Sequence, residues 1–237
     1  MFNGAGDDKG AAIARRFAME GFEVCVARRP RHLEALEKLA ADIRGDGGLA
    51  HVYGIDAREE DEIVRLFETI ECDIAPLEIV VFNIGANVRF TIAETTARVY
   101  RKVWEMAAFA GFLAGREAAK RMIPRGRGTI LFTGATASLR GSAGFSAFAG
   151  AKHALRALAQ SMARELGPLN IHVAHVIIDG AIDTNFIREN FQNADELRAD
   201  DGLLAPDAIA EAYVFLHNQP RTAWTHELDL RPWREKW

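Results

Sequence analysis

The chain has 237 residues, 49% of them apolar, and a formal net charge of −4: enough apolar matter for one large α/β core, and too acidic for nucleic acid or an anionic membrane to be its main partner. No apolar stretch approaches the roughly 20 residues that span a bilayer, and nothing resembles a signal peptide. Two cysteines in unlike settings, Cys25 in an apolar run and Cys72 near a helix end, point to a reducing compartment, so a cytoplasmic protein is expected.

The chain opens MFNGAGDDKGAAIARRF, where Gly4, Gly6 and Gly10 precede a helical pattern with Ile13 and Phe17 on one face. Glycines there allow a tight turn and let a pyrophosphate approach backbone N–H groups at a helix N-terminus. A plain strand-to-helix turn is the alternative. A strand should precede Gly4, yet only Met1, Phe2 and Asn3 are available; either it is stunted or the natural protein begins earlier than this numbering.

The apolar run FEVCVA (22–27) reads as the next strand, and Arg28, Arg29 and Arg31 follow it. An acid at that point would bind a ribose 2′-OH, whereas guanidinium groups suit a 2′-phosphate, so NADP(H) is favoured over NAD(H). A solvated basic helix start is the competing reading.

Leu33, Leu36, Leu39 and Ile43 then mark a helix, and LAHVYGI (49–55) a strand ending at Asp56 and Ala57. Ile63, Leu66, Phe67 and Ile70 mark another helix, before the strand LEIVVFN (77–83). A long helix over about 97–122 leads to the strand GTILFT (128–133). A second long helix, 146–166, stops at ELGP before the strand IHVAHVII (171–178). The polar stretch 185–205 breaks the rhythm, like an inserted lid over a substrate; a helix near 206–218 and the strand WTHELDL (224–230) close the chain.

Strands alternating with helices imply right-handed crossovers and a parallel sheet covered on both faces, which strands apolar on both sides also require. Six such strands and the short first one give a seven-stranded, doubly wound α/β domain over 1–237.

The segments NGAGDDKG (3–10), Asp56, NIGA (83–86), Lys152 and DGAIDT (179–184) resemble, over essentially the whole length, the short-chain dehydrogenase/reductase family. Departures are visible. Asp8 stands where the family has its middle glycine. The family's Asn-Asn-Ala-Gly is Asn83-Ile84-Gly85-Ala86 here, and its Pro-Gly is Asp179-Gly180.

The resemblance implies a Rossmann-type NAD(P)(H)-dependent oxidoreductase. Its pyrophosphate would lie at Gly4, Gly6 and Gly10, its adenosine at Arg28, Arg29, Asp56 and Ala57, and its adenosine ribose against Asn83 and Gly85. Lys152 would hold the nicotinamide ribose, and Ile182 and Thr184 the carboxamide. Asp56 as a helix N-cap and Thr184 as a turn residue remain the alternatives.

By the same resemblance, catalysis needs a tyrosine, a serine and an asparagine around Lys152. Those positions hold Phe148, Ala135 and Ala107, and Phe145 occupies the tyrosine position of the related enoyl reductases. A phenylalanine supplies no proton, and acid–base help of this kind is worth ~10²–10⁴-fold. Asp179 is the candidate replacement acid, with a turn or capping carboxylate as the alternative, and Thr136 and Ser138 are candidate hydroxyls.

Two functions follow: an oxidoreductase with a non-standard active site, or a catalytically inactive nucleotide-binding or scaffold protein. No metal is expected, because His172 and His175 are three apart in a strand and face opposite sides. Trp224, Trp233 and Trp237 are expected to pack on the core or on another subunit. The resemblance further implies a homo-oligomer, tetramer or dimer, built on the two long helices.

Overall fold

Runs of Val, Ile and Leu bounded by glycine or polar turns form one seven-stranded sheet in the computed structural model, which describes residues 2–3 and 9–235. The strands are β1 (Phe2–Asn3), β2 (Val24–Arg28), β3 (Ala50–Gly54), β4 (Ile79–Phe82), β5 (Gly128–Thr133), β6 (Ile171–Ile178) and β7 (Glu227–Leu230). Their order is β3-β2-β1-β4-β5-β6-β7, and every pairing is parallel. The first strand sits centrally, as expected: Phe2 is in register with Val26 on one side and Val81 on the other.

Helices cover both faces. On one lie α1 (Lys9–Met19), α2 (Leu33–Gly45) and α9 (Pro206–His217), which bury Ile13, Phe17, Leu36, Ile43 and Tyr213 against the sheet. On the other lie α3 (Glu60–Thr69), α5 (Ala110–Met122) and α6 (Ser146–Leu166), with Phe67, Leu113 and Leu155 in the core. The long helix expected at 97–122 is interrupted: α4 (Ala97–Trp104) joins α5 through a π-helical turn, Glu105–Phe109. The stretch 185–205 carries two short helices, α7 (Asn185–Asn190) and α8 (Ala194–Ala199), and is tied back by a bridge between Ile182 and Leu204.

The chain winds from β1 outward to β3, then returns past β1 to β4. That reversal leaves a crevice above the carboxyl ends of β1 and β4, where open α/β sheets bind ligands.

His172 and His175 do face opposite ways. The His172 ring stacks on Trp224 at 4.8 Å, whereas Nδ1 of His175 meets Oε2 of Glu227 at 3.2 Å on the α6 side. Of the tryptophans expected to pack on the core or on another subunit, Trp233 does not pack on the core. It is 71% exposed in the single chain, held by an Nε1–H donated to the Asp200 carbonyl and by the Arg234 guanidinium over its ring. Trp237 lies outside the described residues. No described helix is long and apolar enough to cross a membrane.

Candidate active site

Above the switch point lie two cavities, of about 280 and 440 Å³, that share Lys9, Asn83, Ile84 and Gly85 and so form one cleft. Residues at the carboxyl ends of β2, β3, β4, β5 and β6 build it, because a parallel sheet delivers all those ends to one edge. Gly10 is buried in the first turn of α1 and lines neither cavity; Gly4 and Gly6 lie outside the described residues.

The smaller cavity is basic. Arg28 ends β2 there and Arg29 follows it, and His32, Asp56, Ala57 and Arg58 complete the lining. Burial, and then its neighbour Arg31, lower the pKa of Arg29 from its usual value. Asp56 does not cap a helix. Its Oδ1 accepts from the Arg58 backbone N–H at 3.1 Å, closing an Asx turn, and from Arg58 Nε at 2.9 Å. That guanidinium holds the Asp56 carboxylate below its ordinary range. Arg58 was not foreseen, since a lone arginine two residues past an acid carries no sequence signal.

The larger cavity gathers positions that the resemblance assigned to catalysis. Phe145, Phe148, Ala135, Ile178 and Ile182 form its apolar wall around Lys152. Lys152 is 3% exposed, and its Nζ donates to the carbonyls of Thr133 at 2.8 Å and Ile84 at 3.2 Å. Its ammonium lies 5.9 Å from the Phe148 ring centroid, one helical turn away on the same face. No ion pair compensates it among the described residues. Burial, reinforced by the nearby charge of Lys9, pushes its pKa down to about 7.

No phenol reaches this ammonium group. Tyr53 lies on β3, Tyr100 abuts Gly150 from α4, and Tyr213 shares a 2.6 Å hydrogen bond with Thr133 Oγ1 from the opposite face of the sheet. The two candidate hydroxyls are committed elsewhere. Thr136 Oγ1 donates to Asp179 Oδ1 at 2.6 Å, and the buried Ser138 Oγ accepts from the Ala135 backbone N–H at 3.1 Å. Ala107, in the π turn, packs with Ala147 and Ala151 on the rear of the lysine-bearing helix.

Asp179 is turned away from the cleft. Ile178 and Gly180 line it, and alternation along the extended chain sends the residue between them the other way. Its side chain is 0% exposed, and besides Thr136 it meets Arg140 through two contacts of 3.3 Å and Arg231 at 3.8 Å. Two guanidinium groups and a hydroxyl occupy its oxygens, which is the surrounding of a structural carboxylate rather than of an acid facing substrate. Thr184 lines neither cavity and is not a turn residue: its Oγ1 accepts from the Ile187 N–H at 3.2 Å as the N-cap of α7.

Among the described residues, no group of three or more His, Cys, Asp or Glu is arranged to hold a metal ion.

Comparison with known proteins places this geometry. The family model described as short chain dehydrogenase matches residues 2–195. A short-chain dehydrogenase/reductase of Hericium erinaceus is 31% identical over 175 residues, covering 72% of this chain and 69% of its own. The crystal structure of a short-chain dehydrogenase from Rhodopseudomonas palustris is 50% identical, covers 97% of this chain and 96% of that one, and superposes with a TM-score of 0.84. The structure of an actinorhodin polyketide ketoreductase with NADPH shares the fold, with a TM-score of 0.88 at 23% identity over 100% of this chain and 96% of that one.

Proposed function

We propose that this chain, which belongs to the short-chain dehydrogenase family, is an NADP(H)-dependent oxidoreductase whose active site works without a tyrosine. One observation carries the reading: a single cleft at the switch point joins a basic cavity to an apolar one that contains a buried lysine.

The residues fit a dinucleotide. Arg28, Arg29, His32 and Arg58 would take the phosphorylated adenosine end, with Asp56 and Ala57 beneath the base, and Asn83 and Gly85 would border its ribose. Among the described residues, none but its chain neighbours lies within 4 Å of where a side chain at Gly85 would begin, so a ribose has room there. At the other end, two of the three Nζ protons of Lys152 go to carbonyls, leaving one for a ligand oxygen. When bound, the nicotinamide supplies or accepts hydride. Phe145 and Phe148 exclude water from the place where that happens, and Nζ of Lys152 can hold or release a proton near neutrality.

Titrating the protein with NADPH and NADH, followed by nicotinamide fluorescence, tests the cofactor. NADPH should bind the tighter. Turnover across carbonyl and conjugated-alkene substrates tests the reaction.

A second reading rests on the joint presence of Ala135, Phe148 and Ala107: a nucleotide-binding protein that has lost catalysis. It predicts NADPH binding with no turnover of any substrate. In either case residues 185–205 form the cover on the substrate side. The aromatic stripe Trp104–Phe109–Phe112 at the α4–α5 joint, stacked at 6.0 and 6.2 Å with Trp104 and Phe112 part-exposed, is the face through which copies would associate.

A further inference from the structure

Residues 231–235, just past β7, tie together parts of the chain that are far apart in sequence. Arg231 lies 3.8 Å from Asp179 at the exit of β6. Pro232 packs on Gly180, which lines the larger cavity: a Cβ there would meet Pro232 Cδ at 2.6 Å, and a φ of +152° also calls for glycine. Glu235 Oε1 lies 3.8 Å from Nη2 of Arg140, which lines the same cavity. Between these contacts the tail reaches the segment 185–205. Trp233 Nε1–H donates to the Asp200 carbonyl at 2.8 Å, and Arg234 Nε meets Asp200 Oδ2 at 2.7 Å. The Arg234 guanidinium also covers the Trp233 ring, 5.4 Å from its centroid.

The segment so gripped is a unit. Asp183 pairs with Arg188 of α7 at 2.8 Å and with Arg198 of α8 at 3.1 Å, which ties the two helices together. Asp200 follows α8, and Asp201 after it has a left-handed backbone, with φ of +50°. In this position no described residue of 185–205 lines either cavity. The grip is also weak enough to break. Arg234 and Asp200 are each about half exposed, and an exposed ion pair with one hydrogen bond holds only a small free energy.

We propose that the C-terminal tail is a latch: through Trp233 and Arg234 it grips Asp200 and holds 185–205 off the larger cavity, and its release lets that segment close. The inference rests on the reading of 185–205 as the cover of the substrate side, and adds the element that controls it. Because the tail is anchored at Gly180 and Arg140, it sets the position of the cover relative to the cavity wall itself.

Hydrogen exchange followed by mass spectrometry on the full chain reads the latch without any ligand. Asp200→Asn, Arg234→Gln, and Arg234→Gln combined with Trp233→Phe should each speed exchange in 185–205 roughly 2- to 10-fold, with the melting temperature and exchange in the sheet unchanged. Added salt screens the ion pair, so it should speed exchange of the cover in the wild type and not in Arg234→Gln. The rate of NADPH release, from stopped-flow fluorescence, then separates a latch from a brace. A cover freed to close slows release, whereas a cover that has only lost support leaves it unchanged or faster. Unchanged exchange in 185–205 overturns the proposal, and so does faster exchange throughout the chain. Faster exchange of the cover with NADPH release unchanged or accelerated overturns it too, and leaves the oxidoreductase reading intact. A wild-type protein that binds neither NADPH nor NADH overturns the dinucleotide reading instead; the exchange measurement then decides the latch alone, a selective rise supporting it and no rise overturning it.

Discussion

Returning a hydroxyl to position 148 tests the catalytic end directly. The perturbation is Phe148→Tyr combined with Ala135→Ser, since both positions line the same cavity as Lys152. The Phe148 ring centroid lies 5.9 Å from Lys152 Nζ. At that separation, with an effective dielectric of ~20, a unit charge is worth about 3 kcal/mol, or about two pKa units. A phenol there, ordinarily near 10, is drawn down for as long as Lys152 is charged, and burial works against that shift. Lys152, near 7 on its own, gains an anionic partner and rises, so the two titrate as a pair. Phenolate absorption in the near ultraviolet, read as variant minus wild type, follows the first effect. Steady-state NADPH oxidation with a carbonyl substrate follows the second, with an expected gain of ~10²–10⁴ in kcat. The reasoning fails if the variant binds NADPH normally and its new phenol titrates below 10, yet turnover does not increase. The cleft would then not seat a carbonyl beside position 148.

Other outcomes bear on the neighbouring groups. Asp179→Asn removes the carboxylate from between Arg140 and Arg231; it should cost stability at the lower end of ~3–5 kcal/mol, because water still reaches Arg140, and should not alter the shape of the pH–rate profile. A shifted profile with unchanged urea stability would restore the acid role. His175 is held neutral by burial, its pKa lowered to about 4, so as pH falls below 6.5 the unfolded chain takes up a proton that the folded one refuses. Stability should therefore drop between pH 6.5 and 4 by up to about 3 kcal/mol, and His175→Gln should flatten that slope in urea titrations at pH 4.5 and 7. Replacing both Arg28 and Arg29 by Ala should weaken NADPH roughly 10- to 100-fold with little change for NADH, and equal losses for the two cofactors would remove the 2′-phosphate argument.

The strands and most helices were legible because their cause is local: apolar runs too short for helices alternate with faces that repeat at three and four residues. The π turn was not, since EMAAF carries the same periodicity as its flanks and the extra residue per turn is decided by packing of Ala107 against α6. The same division runs through the site. Lys152, Asn83 and the arginines after β2 were readable because each sits at a fixed offset from a strand end or along a helix. Asp179 was readable only as an acid at a strand end. What makes it structural are Arg140 and Arg231, each far from it along the chain and brought in by the β5 exit and the β7 exit.

Proximity in sequence locates the chemistry that touches the backbone turns. The charges that decide what the cleft binds, and which acids stand outside it, are set by contacts across the sheet order, which no window on the sequence contains.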